Sequence, residues 1–292
     1  MKRKLLKAAM PVISPANQIV IRNYYKDEKM LSELHARKVL LLAPHVDDET
    51  IGAGGTLMKH AKEGAETHVA FLTDGSGSFT KGEKEALVSA RKKEAEKVQE
   101  LLGLTSIDFY DAKDGQLTSD EPTRAWVRKK IESIQPEVIY APVFVDCHPD
   151  HITTAQLVRD VVDEIQGYSP VIRLYEINTL LPKEEINCIV DISDFVSRKK
   201  QTIDVFQSQT IDFDGFLALQ HWKTHLLGDH KVEAVETFLE LSHEELKNRF
   251  DRLDGRYKYS DHFKQANKEA TLLYAMFKNL KFKEKVYEES RS

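Results

Sequence analysis

The rhythm of apolar and polar positions changes at Lys38. Upstream, residues 1–37 follow no clear period and predict an extension or an interfacial helix. Downstream, short apolar runs alternate with helical patterns. Val39-Leu40-Leu41-Leu42-Ala43 is continuously apolar, as a strand covered on both faces of a parallel sheet would be. A helix from about Gly55 to His60, stopping near Gly64, leads to a second strand, Thr67 to Thr73, and to the turn-rich Asp74-Gly75-Ser76-Gly77. Glu83 to Leu102 predicts a helix with Leu87, Ala95, Val98 and Leu102 on one stripe and Gly103 as its stop. Ile107 to Tyr110, Val138 to Pro142, Val171 to Ile177 and Ile189 to Ile192 read as further strands, with helices at Thr123 to Ile134 and Thr153 to Ile165. From Phe195 onward the pattern reads as mainly helical. The alternation argues for an α/β fold, an open and mostly parallel sheet with helices on both faces. Three parts follow: an N-terminal extension (1–37), an α/β domain (38–240) and a helical C-terminal extension (241–292) packed on or beside it. There is no internal repeat and no low-complexity tract.

Composition narrows the function classes. The 292 residues are 41% hydrophobic and 30% charged, ordinary for a globular chain. With 42 Lys+Arg against 47 Asp+Glu, the net charge of -5 gives no footprint for nucleic acid. Basic clusters at Lys2, Arg3, Lys4 and Lys7 and at Lys278, Lys281, Lys283 and Lys285 read as solvated faces. Two cysteines, Cys147 and Cys188, are too few for a disulfide framework and suit a reducing compartment. No apolar run approaches the roughly 20 residues of a transmembrane helix. Lys7, Pro11 and Pro15 break up the first apolar stretch, and no good signal cleavage site follows it. A cytoplasmic protein is expected, and a homo-oligomer stays open.

The chemistry concentrates at two strand ends. The first strand runs into Pro44-His45-Val46-Asp47-Asp48-Glu49-Thr50, then Ile51-Gly52-Ala53-Gly54-Gly55-Thr56. One imidazole and three carboxylates in five positions repel one another unless a cation is present. His45 and Asp48, three apart, can aim at one point from a tight turn, leaving Asp47 for proton transfer. The fourth main strand leads into Asp146-Cys147-His148-Pro149-Asp150-His151, where Pro149 suits a helix start. In open α/β sheets ligands bind beyond the carboxyl ends of strands, and strands one and four commonly adjoin there. Two histidines and a carboxylate with an open position are the usual donor set of catalytic zinc, which brings a bound water to a pKa of roughly 7. The glycines are a poor dinucleotide fingerprint, since the final Gly is missing and acidic residues stand where a pyrophosphate would lie.

Pro-His-Val-Asp-Asp-Glu-Thr-Ile-Gly-Ala-Gly-Gly-Thr together with His-Pro-Asp-His closely resembles the LmbE-like (PIG-L) family. That family includes the N-acetylglucosaminyl-phosphatidylinositol de-N-acetylases and bacterial thiol-sugar deacetylases. The resemblance spans roughly Lys38 to Phe238. It extends to Arg91-Lys92-Lys93-Glu94-Ala95 with Leu102-Gly103, to Asp114-Gly115-Gln116-Leu117 and to Phe206-Gln207-Ser208-Gln209; Val46 departs from it, many members having proline there. It implies a Rossmann-like fold, zinc on His45, Asp48 and His151, and Asp47 as general base. It further implies that His148 steadies the oxyanion or protonates the leaving amine, with Asp150 orienting it. Amide hydrolysis needs such groups: an activated water, a base beside it and a positive group facing the oxyanion. The same ligands also accommodate iron(II) or another divalent metal.

Arg91 interrupts the apolar stripe of its helix at the 4,4,3 spacing Leu87, Arg91, Ala95, Val98. It reads either as a snorkelling side chain paired with Glu94 or as a group that binds substrate hydroxyls or a phosphate, and the resemblance favours the second. Asp74, Ser208 and Gln209 are candidates for the pocket edge. Trp126, Trp222, Phe206 and Tyr110 read as core or pocket wall, Cys147 as a small half-buried residue, and His221, His225, His230, His243 and His262 as structural or surface positions. The leading expectation is a zinc-dependent de-N-acetylase acting on an N-acetylglucosamine-type glycoconjugate. Its rivals are an amidase releasing a larger acyl group from an amino sugar, and a metal-bearing glycan or nucleotide-sugar binding module without turnover.

Overall fold

The computed structural model describes residues 2–77, 83–208, 212–228, 231–253, 255–259 and 262–292, with backbone alone for residues 2–8. The helix α1 (Lys2–Tyr24) comes first, then β1 (Lys38–Ala43), α2 (Asp48–Lys62), β2 (Glu66–Thr73), α3 (Lys84–Leu102), β3 (Ser106–Ala112), α4 (Glu121–Ile134), β4 (Val138–Pro142) and α5 (Pro149–Glu164). The chain continues through β5 (Val171–Tyr175), β6 (Cys188–Asp191), α6 (Val196–Ile203), α7 (Asp214–Trp222), β7 (Val235–Leu241), α8 (His243–Leu253) and α9 (Leu272–Arg291). Among the described residues the strands form one sheet in the order β3-β2-β1-β4-β5-β7-β6, parallel except where β7 pairs with β5 and β6. β1 lies between β2 and β4, with Val39 opposite both Thr67 and Val138. The winding therefore reverses between β1 and β4, so the two acidic-histidine loops leave the sheet side by side.

Alternation along β1 builds both cores. Leu40 and Leu42 join the cluster that holds Val127, Ile131, Val158 and Val161 of α4 and α5. Val39 and Leu41 join the opposite one, with Leu57 of α2 and Ala95, Val98 and Leu102 of α3. Helices on both faces were expected, and so was the end of α3 at Gly103, which adopts a left-handed φ of 73°.

Two expectations about elements are corrected. The helix expected from about Gly55 begins at Asp48, so it carries the first acidic cluster on its opening turn. Its glycines serve close packing: a Cβ on Gly52 would lie 2.3 Å from Tyr175 Cδ2, and one on Gly55 2.7 Å from Ile192 Cβ. The chain beyond Phe195 is not all helical either, because β7 enters the sheet between β5 and β6. Glu236 of β7 is buried and holds the far half of α2. It accepts the Gly55 and Thr56 N–H groups (2.8 and 2.7 Å), which follow a kink at Ala53, and pairs with buried Lys199 at 2.6 Å.

The terminal stretches share the same core. Ile21 and Tyr25 pack in one cluster with Val286 and Tyr287, and the Tyr25 hydroxyl donates to the Leu181 carbonyl at 2.9 Å. Lys283, expected on a solvated face, is buried and donates to Thr179 Oγ1 at 2.7 Å. Both stretches thus grip the segment after β5. The side chains of Lys2, Arg3, Lys4 and Lys7 lie outside the described residues. No described helix is long and apolar enough to cross a membrane.

Candidate metal centre and active site

β1 ends at Ala43, and the next turn delivers His45 and Asp48 to the base of a cleft. Asp48 Oδ2 accepts the His45 backbone N–H at 3.0 Å and stands 3.0 Å from His45 Nδ1. From the loop after β4, His151 brings its Nε2 to 3.4 Å from the same carboxylate oxygen. In a tetrahedral site with ligands near 2.0–2.1 Å, ligand atoms sit about 3.3 Å apart, so both spacings suit one small cation. Burial alone would raise the Asp48 carboxyl, but the His151 and His45 rings outweigh it and hold it well below the usual range. His151 Nδ1 in turn lies 3.5 Å from Asp146 Oδ1, which accepts the His148 N–H and the Asn178 amide, each at 2.9 Å. A ligand imidazole backed by a carboxylate is the common outer arrangement of metal sites. Among the described residues the sets whose ligand atoms lie within 4.8 Å of one another, as one divalent cation requires, are His45, His148 and His151, and His45, Asp114, His148 and Asp150; Asp48 is in neither.

His148 differs from the other two rings. It caps α5, its Nδ1 accepting the Asp150 N–H at 3.3 Å, and Pro149 occupies the first turn. Its side chain is 29% exposed, against 11% for His45 and 2% for His151. It stands edge-on to His45 with ring centroids 4.6 Å apart. Burial and the neighbouring His45 and His151 lower its pKa to about 4. Nitrogen atoms of all three histidines lie within 4.8 Å of one another, so proximity does not separate a metal ligand from a catalytic group.

Asp47 carries the backbone distortion of the site, with φ 131° and ψ -29°. Its N–H is held by Glu49 Oε2 at 3.0 Å. Burial first, then the adjacent Asp48, raises its carboxyl well above the ordinary range, opposed by Arg91 and His45. A base with an elevated pKa works closer to neutral pH. Glu49 lies beneath, fully buried, with burial raising its pKa to about 7.

Asp150 is placed differently from the expectation that it orients His148. Its carboxylate accepts the Gly115 and Leu117 N–H groups at 2.7 and 3.1 Å and stands 3.3 Å from His45 Nε2, but 4.0 Å from His148 Nδ1. The capping bond explains this, since His148 Nδ1 meets the backbone of Asp150 rather than its carboxylate. Asp150 thus steadies His45 and the 115–117 loop. Asp150→Asn is expected to weaken metal binding roughly 10–100-fold, measured by chelator competition. Unchanged metal affinity with a fall in kcat would return Asp150 to His148.

Asp114, to which the sequence reading gave no role, closes one side of the cleft. Its Oδ2 accepts the Gly77 N–H at 3.0 Å, and its Oδ1 lies 3.3 Å from His45 Nε2 and 4.0 Å from His148 Nε2. Arg91 is buried on the same side, with its guanidinium across Gly75. A Cβ on Gly75, whose φ is 64°, would lie 2.2 Å from Arg91 Nη1. Gly75→Ala should therefore displace Arg91 and cost roughly 1 kcal/mol of backbone strain. Steady-state kinetics should show a raised KM; an unchanged KM would remove Arg91 from substrate binding. Glu94, the alternative partner for Arg91, accepts the Ser208 N–H and hydroxyl at 2.8 and 2.6 Å.

The remaining candidates are structural. Asp74 holds Lys113 at 2.7 Å and the Ser76 N–H at 3.0 Å; burial would raise its pKa, but these partners bring it to about 2. Burial keeps the Cys147 thiol well above its ordinary pKa, against a thiolate ligand. His221 and His243 meet the carbonyls of Glu233 and Arg159, and His262 stacks on Phe282. Gln209 and His230 lie outside the described residues. Ile177, Asn178, Phe213, Phe216 and Gln265 complete the cleft.

Residues 40–162 match the family described as GlcNAc-PI de-N-acetylase, PIG-L. This segment carries the likeness to PIG-L. It contains the expected metal ligands His45, Asp48 and His151, the expected Asp47, His148, Asp150 and Arg91, and Asp114 as well, while the pocket-edge candidates Ser208 and Gln209 lie beyond it. The chain is 29% identical over 189 residues to a diacetylchitobiose deacetylase of Thermococcus kodakarensis, covering 59% of this chain and 70% of the relative. Over 145 residues it is 30% identical to a 4-oxalmesaconate hydratase of Pseudomonas putida, covering 46% and 55%. Among solved structures it resembles the N,N'-diacetylchitobiose deacetylase of Pyrococcus horikoshii, with a TM-score of 0.63 and 28% identity over 72% of this chain and 85% of that one. The chain is thus similar to relatives named for two reactions, amide hydrolysis and hydration.

Proposed function

We propose that the chain is a metal-dependent hydrolase that removes the acetyl group from an N-acetylated amino sugar. The observation that carries this reading is the Asp48 carboxylate, 3.0 and 3.4 Å from two imidazole nitrogens at the base of a cleft edged by Asp47, His148 and Arg91. The deacetylase relatives support the substrate class. We assign His45, Asp48 and His151 to a zinc ion, which when bound supplies Lewis acidity and an acidified water. Asp47 accepts the proton of the attacking water. His148, neutral at its lowered pKa, donates a hydrogen bond from Nε2 to the developing oxyanion, and the proton that Asp47 takes from water passes to the departing amine. Arg91 and Asp114 hold sugar hydroxyls. A cavity of about 200 Å³ is small beside the 300–1,000 Å³ of sites that engulf a drug-sized ligand, so it houses the reacting end of the substrate.

The test is amine formation from methyl N-acetylglucosaminide by protein stripped of metal and then reloaded with zinc or iron(II). Amine and acetate in equal amounts, only after reloading, is the expected result. Faster release of a longer acid from N-acyl analogues would favour the larger-acyl amidase. Binding without product would favour the non-catalytic module.

A further inference from the structure

The charge of the chain is unevenly placed. Residues 1–26 hold Lys2, Arg3, Lys4, Lys7, Arg22 and Lys26 and no acidic residue, within a chain whose net charge is -5. Nearly all of this stretch is the helix α1. The body grips α1 only from Asn17 onward. Asn17 Nδ2 donates to the Glu269 carbonyl at 2.6 Å, Ile21 and Tyr25 are fully buried, and the Tyr24 hydroxyl donates to Glu284 at 2.9 Å. None of residues 9–16 is buried. α1 and α9 therefore lie side by side and run in the same direction, with Ile21 and Tyr25 of one and Met276 and Lys283 of the other turned to the body.

The faces turned away from the body are apolar and basic. Val12 and Ile19, seven positions apart and so on one face of α1, are 76% and 70% exposed. On α9, Tyr274 and Phe277 are 60% and 69% exposed, beside the exposed Lys278 and Lys281. Four of the seven large apolar side chains exposed among the described residues thus stand on these two adjoining helices. Single exposed apolar residues are ordinary, whereas a group of them on one surface marks a place that meets a partner.

The partner has to answer both features. A nucleic acid would meet the lysines and leave the apolar row in water. A second copy of this face would set one acid-free helix against another, basic against basic. A bilayer with anionic headgroups takes both: lipid phosphates meet the basic residues, while Val12, Ile19 and Phe277 enter the boundary of the acyl chains and Tyr274 sits at headgroup level. Neither helix is long and apolar enough to cross a membrane, so both would lie in its surface.

We propose that the outer face of α1 and α9 docks the protein on a lipid bilayer rich in anionic headgroups. The docking face is separate from the cleft, and the proposal does not rest on the reaction assigned there.

The test is cosedimentation of the full chain with vesicles of phosphatidylcholine alone, or of phosphatidylcholine and phosphatidylglycerol in equal parts. The protein should partition onto the mixed vesicles, far less onto the neutral ones, and less as salt rises. Val12→Ser combined with Ile19→Ser should lower the partition coefficient at least about tenfold, as two apolar anchors are lost. Lys278→Gln and Lys281→Gln should each lower it about fivefold. These side chains are exposed, so the thermal midpoint and the turnover of methyl N-acetylglucosaminide, which is soluble, should match the parent. Val171→Ser, at an exposed apolar position on β5, should leave the partition unchanged. Absence of binding to the mixed vesicles would overturn the proposal. Full retention of binding by the Val12→Ser, Ile19→Ser protein would do so too, since it would leave a purely electrostatic contact of the kind nucleic acid makes. Light scattering that shows a dimeric parent and a monomeric double variant, with no vesicle binding, would give the face to a second copy instead.

Discussion

His151→Ala, Asp48→Ala and His45→Ala should each lose metal and activity together. Three protein ligands leave no redundancy, so the loss should exceed the 10–100-fold typical of removing an outer-shell partner. Asp48 is the critical member because one oxygen serves both rings, at 3.0 Å from His45 and 3.4 Å from His151. His148→Ala is the informative comparison. Its ring lies close enough to replace a ligand, yet it is the most exposed of the three and among the described residues has no carboxylate nearer than 4.0 Å. It should keep its metal and lose kcat, as expected of a group engaged mainly in the transition state. Metal analysis with steady-state kinetics on the four variants checks this. Full occupancy in His151→Ala, or metal loss confined to His148→Ala, would show that the two histidines have exchanged roles.

Asp47→Asn should bind metal normally and lose roughly 10²–10⁴-fold in turnover, the usual contribution of a general base. The amide keeps the size of the side chain but cannot take a proton from water. Geometry favours Asp47 over Glu49, its only rival in the motif. Asp47 lines the cleft, whereas Glu49 is fully buried and spends its oxygens on the Asp47 N–H and the Thr50 hydroxyl. Glu49→Gln should therefore act through the backbone of Asp47. Near-normal turnover in Asp47→Asn at neutral pH would move the base elsewhere.

What the sequence disclosed depends on how local the signal was. β1 and β4 were legible because continuous apolar runs announce strands covered on both faces. The two clusters at their ends were legible because metal chemistry needs those residue types within a few positions. β7 was not legible: Glu236 looks like a solvent-facing residue, and its burial is satisfied by Lys199, 37 residues earlier. The start of α2 was misplaced because its glycines suggest a loop, whereas they admit Tyr175 and Ile192 from distant strands and loops. Asp150 shows the same limit within the site. Two-residue spacing suggests contact with His148, but helix capping sends the carboxylate to Gly115 and Leu117, 35 and 33 residues away in sequence. The wall of Ile177, Phe213, Phe216 and Gln265 carries no motif, and only folding assembles it.

The most direct test is mass spectrometry of metal-loaded protein incubated with methyl N-acetylglucosaminide in heavy-oxygen water. Hydrolysis at the His45, Asp48 and His151 centre predicts acetate carrying one heavy oxygen and an amino sugar carrying none, with both products absent in Asp48→Ala. An unchanged amide under these conditions would contradict the account. So would a separate incubation in which an unsaturated dicarboxylic acid gains water while no acetyl group is released.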